Sequence, residues 1–219
     1  MTKYLITPTL LNSFQYYIQD EYKSPADSRA DFLKTLSREK FQPNEAMQKG
    51  IDFENDVQNY CVDKFEPTNR IITHIDNGEQ EEINEWDSYS VCVITCGRIV
   101  KGGLWQQTVK KDLIIGNQEF LLYGKCDVIK RDTIYDIKFT SNYEVGKFLD
   151  SAQHLMYLYC LDLPKFQYLI SDGEEYWVED YHNHKGIEDE IKSKISDFLS
   201  YLENDKEAKE MFFTKWGSK

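Results

Sequence analysis

Asp127, Asp136 and Lys138 lie within one short run, Leu121–Phe139, in which two apolar, strand-like segments are joined by the polar turn Arg131-Asp132. The first segment carries one carboxylate; the second carries a carboxylate and a lysine two residues apart. Side chains at i and i+2 of a strand point to the same side, so Asp136 and Lys138 project together. Hard divalent cations take carboxylate oxygens, and an ammonium beside them suits a developing phosphate anion. The pattern therefore points to metal-assisted chemistry at a phosphate. Each residue also has a plainer reading. Asp127 could pair with Lys125 or Lys130, and Asp136 with Lys138 could be a surface ion pair worth little.

Around this run the sequence alternates helical and extended patterns. Thr7-Pro-Thr-Leu-Leu-Asn-Ser-Phe opens a helix, with Thr7 as N-cap and Pro8 at the first helical position. Residues 22–42 read as loop plus a short helix, and a stronger helix covers about 44–65, with Met47, Gly50, Val57 and Cys61 at helical spacing. Glu54 falls on that same stripe. An acid there is costly unless paired or metal-bound, or it lies at the stripe's edge and reaches water. Residues 66–90 read as an acidic loop. Strands are expected at 91–100, 104–109, 112–115, 119–129 and 133–139, then a helix at 146–161, strands at 165–170 and 175–179, and a helix from 187 to about 203. Short turns favour an antiparallel meander, and a strand returning after a crossover helix lies parallel to its predecessor. The expectation is an α/β protein with a mixed β-sheet flanked by helices.

At 219 residues the chain is most simply one domain, 1–219, with a sizeable core. No apolar stretch approaches the roughly 20 residues of a membrane-spanning helix, and the start lacks the pattern of a secretory signal. Five scattered cysteines suit reduced thiols in a cytoplasm. Cys92-x-x-x-Cys96, read as part of a strand, would be about 13 Å apart and unable to share a small metal site. His182-Asn-His184 has no carboxylate or cysteine partner at ligand spacing and reads as an exposed turn. Trp105, in Gly102-Gly-Leu-Trp105-Gln106, is either core or a stacking surface. The net charge of −12 argues against coating nucleic acid by bulk electrostatics. Residues 98–138 nevertheless hold eight basic residues against five acids, so the segment with the candidate chemistry is locally basic.

Glu54, Gly124-Lys-Cys-Asp127, Asp136-Ile-Lys138 and Gln153-x-x-x-Tyr157, in that order, resemble the motifs of the PD-(D/E)XK nuclease superfamily. The nearest likeness is to its RecB-like and lambda-exonuclease-like branch, as found in bacteriophage genomes, and Thr7–Phe14 looks like that branch's first helix. Two departures stand out: Asp136 replaces the glutamate of many relatives, and Glu54 stands where RecB-type members often have histidine. The resemblance implies a restriction-endonuclease-like core of αβββαβ topology. It implies one or two Mg²⁺ (or Mn²⁺) ions held by Glu54, Asp127, Asp136 and the backbone carbonyl of Ile137. Lys138 would orient or help deprotonate the attacking water, or stabilise transition-state charge, while Gln153 and Tyr157 would line the cleft and contact nucleic acid. Tyr16 and Tyr17 stand near the start in place of cysteine, so no iron–sulfur cluster is expected.

The implied activity is a metal-dependent DNA exonuclease acting on linear DNA in recombination, repair or phage DNA processing, with a structure-specific endonuclease as the nearby alternative. A non-catalytic DNA- or protein-binding module, such as an acidic inhibitor that mimics DNA, is the alternative from another class. Expected partners are DNA, a single-strand annealing or recombination protein and further copies of the chain, with no membrane. The expected compartment is the cytoplasm, the host's if the chain is phage-encoded.

Overall fold

The computed structural model describes residues 3–19, 23–40, 42–76 and 79–217. Its centre is a mixed sheet in which β5 (Gln118–Lys130) pairs antiparallel with β4 (Leu104–Ile115) along one edge. Along its other edge β5 meets two partners in succession. Its first half pairs parallel with β1 (Tyr4–Ile6), through Phe120, Leu121 and Leu122. Its end pairs antiparallel with β6 (Thr133–Phe139), through Val128, Ile129 and Lys130. After α5 (Ala152–Leu161), β7 (Lys165–Ser171) runs parallel to β6, and β8 (Tyr176–His182) closes the edge antiparallel to β7. The mixed sheet and the expected parallel return after a crossover helix are both present.

Helices cover both faces. One layer contains α1 (Pro8–Gln19), α2 (Pro25–Ser37), α5, α6 (Ile187–Asn204) and α7 (Lys206–Lys215), packed on Phe120, Leu122, Phe166, Tyr168 and Ile170 of the sheet. The other contains α3 (Glu45–Cys61) and α4 (Ser88–Val100), whose Phe53, Val57, Val93, Cys96 and Val100 pack on Val128, Ile137 and Leu169. The order α3, β4, β5, β6, α5, β7 reproduces the αβββαβ core, with α4 inserted before its first strand. Burying each of these larger aliphatic or aromatic side chains stabilises the fold by about 1.5–3 kcal/mol, which is why the two layers hold the sheet between them.

Four expectations need correction. Residues 91–100 are helix, not strand: Asp87 caps α4 by accepting from Ser90 N at 2.7 Å, and Val93, Cys96, Gly97 and Val100 are buried at helical spacing. Packing on α3 outweighs the β-branched propensity of this segment. Cys92 and Cys96 therefore share a helix face, and both are buried among apolar side chains of the second core. The acidic stretch 66–90 contains an antiparallel hairpin of β2 (Asn69–Asp76) and β3 (Glu79–Trp86). The strands expected at 104–109 and 112–115 are one continuous β4, and α5 begins at Ala152 rather than 146.

The first helix behaves as its sequence dictates and then does something more. Thr7 Oγ1 accepts from Leu10 N at 3.1 Å, capping α1. One turn on, Asn12 reaches across to the start of α5. Its Oδ1 accepts from Ala152 N at 2.8 Å and its Nδ2 donates to Ser151 Oγ at 3.0 Å, while Ser151 itself caps Gln153 N. The amino end of α5, and with it Gln153, is fixed by α1.

Gly97 lies where α4 crosses α3, and a Cβ added there would overlap the Tyr60 ring. Gly97→Ala is expected to lower the unfolding free energy by about 1–3 kcal/mol, the overlap outweighing the gain in helix propensity. Gly50, in the same α3 but with nothing within 4 Å of an added Cβ, is the control. Gly50→Ala is expected to raise stability by about 0.5–1 kcal/mol. Urea denaturation of the two variants beside the parent measures both.

Candidate active site

The sheet parts between β5 and β6. Only Val128–Lys130 of β5 pair with β6, and only Thr133–Tyr135 of β6 pair with β5. Residues 123–127 on one strand and 136–139 on the other therefore line a wedge, which contains Asp127, Asp136, Ile137 and Lys138. Backbone groups left unpaired inside a fold are costly, so side chains take the ladder's place. Asp127 Oδ2 accepts from Ile137 N at 2.8 Å. The Tyr157 hydroxyl accepts from Lys125 N at 3.1 Å and donates to Lys125 O at 3.0 Å. Gly124 has no side chain because the Tyr157 ring occupies that space.

Because the wedge opens the sheet, residues from both helical layers reach it. From α5, Gln153 Nε2 donates to Asp136 Oδ2. From α3, Glu54 accepts from Gln106 Nε2 of β4, and its charge acts on Asp127 and is acted on by Asp136. Asp136 is 1% exposed, and its Oδ1 is paired with the Lys138 ammonium. Lys138 is about one-third exposed and also lies 5.7 Å from the centre of the Tyr168 ring. Six of the expected residues, Glu54, Asp127, Asp136, Ile137, Lys138 and Gln153, thus meet at the wedge. Tyr157 is buried, with its hydroxyl spent on the Lys125 backbone, so it holds the wedge from behind.

Burial pushes the Asp127 carboxyl well above the usual carboxylate range, and repulsion from Asp136 and Glu54 pushes it further. Burial and then Asp136 likewise raise Glu54. Burial alone would depress the Lys138 ammonium, but Asp136, Asp127 and Glu54 outweigh it and hold that group above the ordinary lysine value. Lys138 is therefore a cation in the metal-free protein.

Carboxylates are the donors that hard divalent cations take, and opposite charge would relieve the repulsion that Asp127 and Glu54 feel from each other and from Asp136. As they stand, the acids are held by protein partners. Among the described residues, no three His, Cys, Asp or Glu side chains form a group that could hold a metal ion. His182 and His184 are exposed, and His184 pairs with Glu190 at 3.4 Å.

A cavity of about 310 Å³ adjoins the site, lined by Asn12, Gln15, Tyr16 and Gln19 of α1 together with Lys138, Lys147 and Gln153. Trp105 packs, partly buried, against the second core. The locally basic segment does not form one face: Lys111 donates to Tyr159 O in one helical layer and Lys130 to Ile99 O in the other. Gln106 was not singled out from sequence, since nothing in its spacing marks it. Its neighbours Gly102 and Gly103 signal only a turn.

No family model matches the chain, and no curated protein sequence does. Among solved structures, the chain is similar to the crystal structure of SSO0001, with a TM-score of 0.54 at 9% identity, over 92% of this chain and 78% of that one. That likeness is one of fold. A second similar structure is LHK-Exo in complex with dAMP, with a TM-score of 0.47 at 13% identity, over 96% of this chain and 91% of that one. No helix among the described residues is long and apolar enough to cross a membrane.

Two predictions follow from the wedge's chemistry. In EDTA, Asp127 and Glu54 keep protons that the unfolded chain releases near pH 4, so their contribution to stability falls as pH rises through their raised values. Asp127→Asn keeps an acceptor for Ile137 N while removing the buried charge. It should raise the thermal midpoint at pH 7, by about 2–4 °C per kcal/mol regained, and flatten the pH dependence above pH 5. Tyr157→Phe strands the Lys125 amide and carbonyl and should cost about 1–3 kcal/mol in urea denaturation.

Proposed function

We propose that this chain is a metal-dependent nuclease of the PD-(D/E)XK kind, removing nucleotides from the ends of linear DNA. The observation that carries this reading is the wedge itself. It gathers Glu54 from α3, far upstream in the sequence, with Asp127 from β5 and Asp136 and Lys138 from β6 into one polar site inside an apolar fold. A structural role gives no reason to bury three acids that destabilise one another.

Mg²⁺ or Mn²⁺ would be held by Glu54, Asp127, Asp136 and the Ile137 carbonyl, and when bound it acidifies water and neutralises charge on a phosphate. The chain's own groups do the rest. Lys138, a cation at the wall of the cavity, compensates the negative charge that builds on the phosphate oxygens during attack. Gln153 fixes Asp136 through its amide, leaving that carboxylate's other oxygen turned toward Lys138. Tyr157 keeps β5 straight behind Asp127. The cavity beside Lys138 supports the exonuclease reading. It offers a terminal nucleotide the amides of Gln15 and Gln19, a second ammonium from Lys147, and the exposed ring of Tyr16.

The test uses end-labelled linear and covalently closed circular DNA with Mg²⁺, Mn²⁺ or EDTA. The expected result is metal-dependent loss of the linear DNA alone. Lys138→Ala should slow it by about 10²–10³-fold, the usual cost of removing a charge-stabilising group, and Asp127→Ala should abolish it. Cutting of the circles would favour an endonuclease. No cleavage with any metal would remove the enzymatic reading and favour a binding module.

A further inference from the structure

Gln106 combines two unusual features at one position. The β4–β5 register passes from Trp105↔Val128 to Gln107↔Cys126, which puts Gln106 across from Asp127. Its φ is +53°, left-handed backbone at the third residue of a twelve-residue strand. Non-glycine residues seldom adopt that conformation, least of all inside a ladder. The side-chain alternation changes hand at the same place on both strands. Cys126 belongs to the first core and Val128, two residues on, to the second. On β4, Val109 belongs to the first core and Trp105 packs on the second.

A change of hand accounts for the backbone but not for the residue. Glycine would take this φ freely, and the other non-glycine residues near this φ, Arg38, Asp63, Arg131 and Asp162, lie at helix ends or in a turn and not within a strand. At 106 the chain carries an amide, and that amide donates to Glu54. Strain held by surrounding structure at a polar site is a recognised sign of pre-organisation.

We propose that Gln106 is a positioning residue, whose left-handed backbone turns its amide onto Glu54 and holds that carboxylate toward Asp127 and Asp136. The inference rests on the metal-dependent reading of the site. Gln106 supports a ligand without itself being one. Partners of this kind commonly contribute 10–100-fold to metal affinity.

The experiment is a Mn²⁺ titration of metal-free full-length protein, following free Mn²⁺ by electron paramagnetic resonance, for the parent, Gln106→Gly, Glu54→Gln and the double variant. Gln106→Gly relieves the backbone and deletes only the amide. It should unfold at or above the parent's temperature yet bind Mn²⁺ about 10-fold more weakly. In the Glu54→Gln background the same change should add little, because the two losses share one path. Gln106→Asn, which also tolerates left-handed backbone, should fall between parent and glycine. Unchanged Mn²⁺ affinity in Gln106→Gly, or fully additive losses in the double variant, would overturn the positioning role while leaving the nuclease reading intact. A parent that binds no Mn²⁺ would overturn both.

Discussion

The parting of β5 from β6 is the constraint on which the rest of the structure depends. A sheet normally satisfies its own backbone, and where two neighbours diverge, donors and acceptors are left over in a dry interior. Here Asp127 satisfies Ile137 N and Tyr157 satisfies both groups of Lys125. The acid to which the proposed chemistry assigns a metal is therefore also part of the scaffold. The opening has a second effect, since it exposes β6 to both helical layers. Without it, Glu54 on one face and Gln153 on the other would be separated by the sheet.

Concentrating like charges has a thermodynamic side. Burial and the neighbouring carboxylates raise the proton affinity of Asp127 and Glu54, and Lys138 relieves only part of that repulsion. The apolar cores on both faces offset the cost. Aromatic contacts among Phe14, Phe32, Phe198 and Tyr201 secure the first layer, and Phe53 with Tyr89 and Phe139 the second. On the proposed metal-dependent reading, the same repulsion that weakens the fold would favour a bound cation, a common trade between stability and function.

The elements that bear the chemistry were the ones most legible in the sequence. β6, α5 and the cap of α1 carry strong local signals, and the motif order marks Glu54, Asp127, Asp136, Lys138 and Gln153 as one set, which the wedge brings together. The errors fell where local propensity and tertiary packing disagree. Val91–Val100 is rich in β-branched residues, and only the Asp87 cap and the 93, 96, 97, 100 spacing betray a helix. The hairpin at 69–86 was hidden by its acidity, although Asn77-Gly78 is a strong hairpin dipeptide. Gln106 was invisible for a different reason: its importance lies in a backbone angle and a partner 52 residues away, neither of which leaves a pattern in the chain.

The Asn12 latch gives the amino-terminal helix a significance beyond packing. Asn12 both lines the cavity beside Lys138 and holds the first turn of α5, from which Gln153 grips Asp136. One rigid path thus runs from the cavity wall to an acid at the centre of the site. A molecule that fills the cavity leans on the same helix that sets the acid's orientation, so recognition and readiness for chemistry are mechanically joined. The amino terminus is for that reason a poor place for trimming or for a bulky fusion. A disturbance at α1 would travel to Asp136 without touching any residue that the motifs single out.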